Sequence, residues 1–232
     1  MGAIKWYPDK ETIAQNKKEY KEHQLVYYTP IEELFNAITH ALGVVAAFIG
    51  LGFMLHYSSE PRHYIASVIV FIGFFGLYLN STIYHATYKK SVKKYLRIFD
   101  HATVNALVLA NAATLSLCTS DNPYNFIAFG ISCGIIIFSY ILSFINLKRF
   151  SLLIFFNNFI IGFMMLVTYI INRSYFPQIV MAFYLSGLIF CLIGAVIYAI
   201  KKPFTHTIFH LFVLFGPVCF LIAQILFLKS LA

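Results

Sequence analysis

The chain has 232 residues, of which 60% are hydrophobic and only 11% charged, and its net charge is +8. A water-soluble domain carries roughly 25% charged residues, so this chain lacks the polar surface to stay in water and reads as an integral membrane protein. The basic residues sit in short segments between apolar runs, which argues against a nucleic-acid partner and for attraction to membrane lipids with anionic head groups.

Residues 1–36 form a polar and charged N-terminal segment, expected to be cytoplasmic. No cleavable signal peptide is expected there, so the first span would serve as the targeting signal. Thr29-Pro30-Ile31-Glu32 has the pattern of a capping box with proline at the first helical position. A helix should start there, either lying along the membrane surface or running straight into the first span.

Residues 37–232 are expected to form one transmembrane domain. A span needs about 20 mostly apolar residues. Seven stretches qualify: Ala37–Tyr57, Tyr64–Tyr84, Phe99–Thr119, Phe126–Asn146, Ser151–Ile171, Gln178–Ile200 and Thr205–Leu228. The fold class is therefore an all-α, seven-helix transmembrane bundle. Cys118, Cys133, Cys191 and Cys219 fall in or beside apolar stretches without a C-x-x-C pair, which disfavours disulfides and thiolate metal sites. Asn111, Asn157 and Asn158 read as polar stitches between helices, and Gly216-Pro217 as a bend in the last one.

Charge sets the orientation. With seven spans, one side carries the N-terminal segment and the Ala86–Ile98, Leu147–Phe150 and Lys201–Phe204 loops. That side holds all of the 17 Lys and Arg residues except Arg62, Arg173 and Lys229. Lys5, Lys93, Lys148 and Lys201 are among them. By the positive-inside rule the N-terminus is cytoplasmic and the C-terminus outside, in the plasma membrane. Dropping or adding a span would mix the two loop sets and destroy the asymmetry.

Polar groups inside spans are costly and need a reason. At a rise of 1.5 Å per residue, His85 lies about 6 Å inside Lys89 and Ser81 about 12 Å. His206 and His210 lie about 6 and 12 Å inside Lys202, and Asp100 about 4.5 Å inside Arg97. All fall in one slab beneath the cytoplasmic face. His206 and His210, four residues apart, project from one helical face and suit two ligands on Zn²⁺, and His85 supplies a third nitrogen. Three protein ligands leave a fourth position for water. Asp100, the only acidic residue inside a predicted span, could act as base, and Ser81 could hydrogen-bond the water, the substrate or a ligand's second nitrogen. Taken singly, each has a plainer reading: interfacial histidines, a helix N-terminal carboxylate at Asp100, a serine bonded to its own backbone. The roles of Glu33, His40 and His101 stay open. Glu33 and Asn36 share a face with His40, and His101 points about 100° away from Asp100. His56 and His63 belong to the outer face.

Three blocks carry a resemblance: EELFNAITHALG, NSTIYHATYKKSVKKYLRIFDHATV and HTIFHLFVLFG. Together they resemble the hemolysin III family, the bacterial branch of the progestin and adiponectin receptor family, in a superfamily with the alkaline ceramidases. The resemblance covers about Glu33 to Leu228. It implies Zn²⁺ held by His85, His206 and His210 on the cytoplasmic side, with Asp100 and Ser81 beside the metal. One position departs: many relatives have a further histidine late in the last span, where this chain has Phe220. Three functions compete. A zinc-dependent hydrolase of amide or ester bonds in membrane lipids would use Asp100 as base, since neither H-E-x-x-H nor G-x-S-x-G is present. The family name suggests a cytolysin or pore. The receptor relatives suggest a membrane sensor with structural zinc.

Overall fold

The computed structural model describes residues 6–200 and 202–232. Lys5 and Lys201, two of the basic residues counted on the cytoplasmic side, lie outside them. Seven α-helices occupy the described residues: α1 (Lys10–Glu22), α2 (Pro30–Tyr57), α3 (Pro61–Ala86), α4 (Lys90–Leu117), α5 (Pro123–Ile171), α6 (Gln178–Ala199) and α7 (Thr205–Leu231). Five of these, α2, α3, α5, α6 and α7, are long and apolar enough to cross a membrane. The chain is an all-α membrane protein.

Helix starts follow local chemistry. Asp9 caps α1 by accepting a hydrogen bond from the Thr12 amide at 2.9 Å. The box at Thr29 closes as its sequence requires: a Glu32 oxygen accepts from the Thr29 amide at 2.9 Å and from its hydroxyl at 2.7 Å. The helix it starts runs unbroken to Tyr57, so the interfacial alternative does not apply. The expected Ala86–Ile98 loop is mostly helix, because α3 ends at Ala86 and α4 begins at Lys90. Asp100 therefore stands well inside α4, and the reading of it as a helix N-terminal carboxylate falls. At α7 the helix begins at Thr205, as the span boundary expects. Phe204 takes the left-handed conformation (φ 61°) at its N-cap and breaks the turn.

The 49 residues of α5 form a helical hairpin broken at Asn146, whose φ of −164° and ψ of 90° are not helical. Asn146 Oδ1 accepts from the Arg149 amide at 3.0 Å and starts the second arm. Bonds across the hairpin fix its pairing. Asn157 donates to Ser139 Oγ at 2.9 Å, and Asn172 donates to Asn125 Oδ1 at 2.9 Å near the open end. Each arm is on the order of 35 Å long, enough to cross the hydrocarbon core.

α2 lies on α3, α3 on α4, α4 on α5 and α6 on α7, while α7 closes back onto α2 and touches α4. Small residues allow the close approaches. A Cβ on Gly187 of α6 would meet the Gly216 carbonyl oxygen of α7 at 2.8 Å, and one on Gly43 of α2 would sit inside the Tyr78 ring. Between α4 and α7, Gln224 donates to Asn111 Oδ1 at 2.9 Å and accepts from the Thr114 hydroxyl at 2.8 Å. α4 is less apolar than its neighbours because its first turns carry Lys90, Lys93, Lys94 and Arg97 as well as this buried polar seam. Pro217 removes the amide that would bond the Val213 carbonyl, and the Tyr78 hydroxyl donates to that carbonyl at 2.9 Å instead. Phe220 packs between Tyr184 and Gly187 in the apolar core.

Candidate metal centre

The helices α2, α4 and α7 begin, and α3 ends, at one end of the bundle. There the chain brings His85, His206 and His210 together. One nitrogen from each lies within 4.8 Å of the others, and the Nε2 atoms of His206 and His210 are 2.9 Å apart. For a tetrahedral ion with bonds of about 2.1 Å, ligand nitrogens stand about 3.4 Å apart. The His206–His210 separation is close to that value and a His85 nitrogen lies within 4.8 Å of both, so the three histidines could hold a metal ion. His206 and His210 meet because they are one helical turn apart on α7. His85 joins them because α3 runs antiparallel to α2 beside it, while α7 runs parallel to α2.

The surroundings orient the rings. Glu33 Oε2 lies 2.6 Å from His85 Nδ1, which assigns the Nδ1 proton to a hydrogen bond donated to the carboxylate. Nε2 is thereby left as the lone-pair nitrogen, and it is buried without a partner. The other Glu33 oxygen pairs with the Lys93 ammonium at 2.7 Å. Lys93 is only 1% exposed. It also donates to the carbonyls of Tyr84 at 3.0 Å and Thr87 at 3.1 Å, which closes the end of α3. A carboxylate behind a ligand histidine fixes its tautomer and raises its basicity. The adjacent Glu32 acts on the backbone instead. Its Oε1 accepts from the Phe204 amide at 2.7 Å, which ties the start of α7 to the start of α2.

Unpartnered polar atoms collect here. Asn36 Oδ1, both His40 nitrogens, Ser81 Oγ, Thr207 Oγ1 and His210 Nδ1 are buried without partners, alongside His85 Nε2. Groups of this kind are rare in a core unless water, an ion or a ligand meets them. Ser81, one turn before His85, lies beside the half-buried Asp100 carboxyl. His40, whose role the sequence left open, sits with its ring centroid 4.0 Å from that of His210 and edge-on to Tyr78. His101 occupies the neighbouring face of α4. His56 ends α2 and His63 begins α3, at the opposite end of the bundle as expected. Asn111 and Asn157 stitch helices as expected, whereas Asn158 Oδ1 has no partner.

Sequence reasoning missed two residues. Lys93 counted only as one of four lysines in a basic run, and nothing local separates it from Lys94. Tyr28 stacks on the His206 ring at 4.4 Å and tilts over His85 at 5.9 Å. It precedes the capping box by one residue, and that adjacency to α2 was the available signal.

The sequence profile described as "Haemolysin-III related" matches residues 28–221. The chain belongs to the hemolysin III family. It is 29% identical over 196 residues to a hemolysin-3 homolog of Bacillus subtilis (strain 168), covering 82% of this chain and 91% of the relative. It is 28% identical over 191 residues to a hemolysin-3 of Bacillus cereus, covering 80% and 86%. The match begins at Tyr28 and takes in all three histidines.

Proposed function

We propose that this family member is a zinc-dependent hydrolase of amide or ester bonds in membrane lipids. The observation that carries this reading is the convergence of three histidines on one point, backed by the buried Glu33–Lys93 pair and flanked by Asp100 and Ser81. His85, His206 and His210 would hold the metal. The donor set fits Zn²⁺, since three neutral imidazoles with an open fourth position suit a catalytic zinc site. Bound there, Zn²⁺ supplies Lewis acidity that makes a water nucleophilic near neutral pH.

The chain's own residues do the rest. Glu33 holds the His85 proton on Nδ1. Asp100 accepts a proton from the attacking water and returns it to the leaving nitrogen or oxygen. Ser81 orients the Asp100 carboxyl and can donate a hydrogen bond to the substrate carbonyl. Seven crossings, with α4 and both arms of α5 as spans and the N-terminus cytoplasmic, would put the centre beneath the cytoplasmic face of the plasma membrane. There it can meet lipid acyl bonds at head-group depth.

Metal measurement on the purified protein tests the centre. Wild type should carry about one zinc per chain and His206→Ala/His210→Ala none; unchanged metal content in the variant sinks the site. For the reaction, lipid extracts are compared from cells carrying wild type or Asp100→Asn. A lipid amide or ester that falls with wild type and is unaffected by Asp100→Asn supports hydrolysis, and identical lipidomes overturn it. A lytic reading draws on the names of the relatives. Dye release from liposomes that persists in the histidine variants would favour it. A sensor with structural zinc would bind the metal and leave the lipidome unchanged.

A further inference from the structure

Above His206 the N-terminal segment roofs a cavity of about 310 Å³. It is held in place from several sides. The Arg97 guanidinium donates to the Gln24 carbonyl, the Lys90 ammonium pairs with Glu19, and Asn16 donates to the Tyr27 hydroxyl at 3.3 Å. The walls include Tyr27, Tyr28 and Tyr198, and Lys17 and Lys202 stand at the rim. His206, stacked under Tyr28, forms part of the floor, so the cavity opens onto the candidate metal centre.

The charges in this cavity are unbalanced. Glu32 is the only carboxylate among the described residues that line it, and it already accepts from the Thr29 amide, the Thr29 hydroxyl and the Phe204 amide. Neither lysine ammonium has a carboxylate within ion-pair distance among the described residues. Each ammonium carries three donors, and the Tyr28 phenol adds another. A single carboxylate would leave many of these donors unmet, whereas a phosphate presents several charged oxygens and is a habitual partner of lysine. A larger, more open depression of about 550 Å³ at the other end of the bundle, holding Arg173, adjoins no comparable cluster among the described residues.

We infer that this cavity is a binding site for a phosphate-bearing head group, engaged by Lys17 and Lys202 at the rim and by Tyr28 above His206. On the hydrolase reading, on which this consequence rests, the substrate is an anionic lipid whose phosphate sits in the mouth. Its acyl linkage then reaches the three histidines. Binding itself needs no turnover, so the two readings fail separately.

The chain has one tryptophan, Trp6. Its carbonyl accepts from the Ile31 amide at 3.3 Å, and its neighbour Tyr7 lines the cavity, so Trp6 emission reports on the mouth. The metal-loaded protein in neutral detergent is titrated with dihexanoyl phosphatidylglycerol, dihexanoyl phosphatidylcholine and sn-glycerol 3-phosphate. A saturable change is expected with phosphatidylglycerol and a much weaker one with phosphatidylcholine. The midpoint should rise at least tenfold in Lys17→Gln/Lys202→Gln. It should stay within twofold in the charge-matched Lys10→Gln/Lys18→Gln, whose lysines do not line the cavity. Saturation by sn-glycerol 3-phosphate alone supports the phosphate site and makes its source a soluble ester. No saturable response to either phosphate compound, an unchanged midpoint in Lys17→Gln/Lys202→Gln, or an equal loss in the control pair overturns the inference. Hydrolysis of a neutral lipid without a phosphate response removes this inference and leaves the hydrolase reading intact. Phosphate binding without any hydrolysis does the converse.

Discussion

Lys93 is the residue whose position most changes the picture of the site. A buried ammonium is tolerated only when it is paired and hydrogen-bonded, and Glu33 pairs with it while also holding His85. The three groups therefore stand or fall together. Glu33→Gln should lower metal affinity by about 10–100-fold by releasing the His85 tautomer. It should also destabilise the protein by about 3–5 kcal/mol, because Lys93 is left buried without its counter-charge. Adding Lys93→Met to Glu33→Gln should recover most of the stability but not the metal affinity. Thermal unfolding in detergent and metal titration separate the two effects; equal recovery of both would make Glu33 a purely structural residue. The histidines were legible in the sequence because depth along a helix is a local quantity, counted from the nearest basic residue. The burial of Lys93 was not, because it depends on where α2 places Glu33.

At the scale of elements, hydropathy located every long apolar helix, because a membrane imposes length and apolarity on each one independently. The ends were less legible. The start of α4 at Lys90 is hidden by charge, and the helix continues through residues that read as loop. The start of α7 depends on a contact 172 residues away in sequence, between Glu32 and the Phe204 amide. That contact leads to a prediction. Glu32→Ala removes the carboxylate half of the α2 capping box and the tie to α7. The cap alone is worth about 0.5–2 kcal/mol, and the untied start of α7 should let His206 and His210 drift from His85. A Thr29→Ala variant weakens the same cap and keeps the tie. Metal affinity should therefore fall clearly more in Glu32→Ala than in Thr29→Ala at similar loss of stability. The α5 hairpin offers a simpler case. Asn157→Leu breaks the bond to Ser139 and should cost about 0.6–1.7 kcal/mol in thermal stability, with no change in metal content, since the hairpin stands apart from the centre.

For the whole molecule, function depends on which side of the membrane the centre faces. Arg62, Arg173 and Lys229 belong to the end opposite the three histidines; Arg62 there pairs with Glu60 at 2.7 Å and Asp121 at 2.6 Å. The other Lys and Arg residues among the described ones belong to the end that holds the centre. A bias of this size in short loops normally fixes orientation. It also makes the topology testable at the second arm of α5, which runs from the strongly basic end to the sparsely charged one. The native cysteines lie in apolar helices or beside them, buried or half-buried, so an added surface cysteine can be read against a low background. With a membrane-impermeant maleimide, Lys148→Cys should label only after the cells are permeabilised, and Ser174→Cys should label in intact cells. The reverse pattern would turn the molecule over and put the histidines at the outer surface, where a cytosolic substrate could not reach them. Labelling of both positions in intact cells would mean that the second arm of α5 does not cross. An even number of spans would then mix the basic and non-basic loops, and charge would no longer fix the orientation.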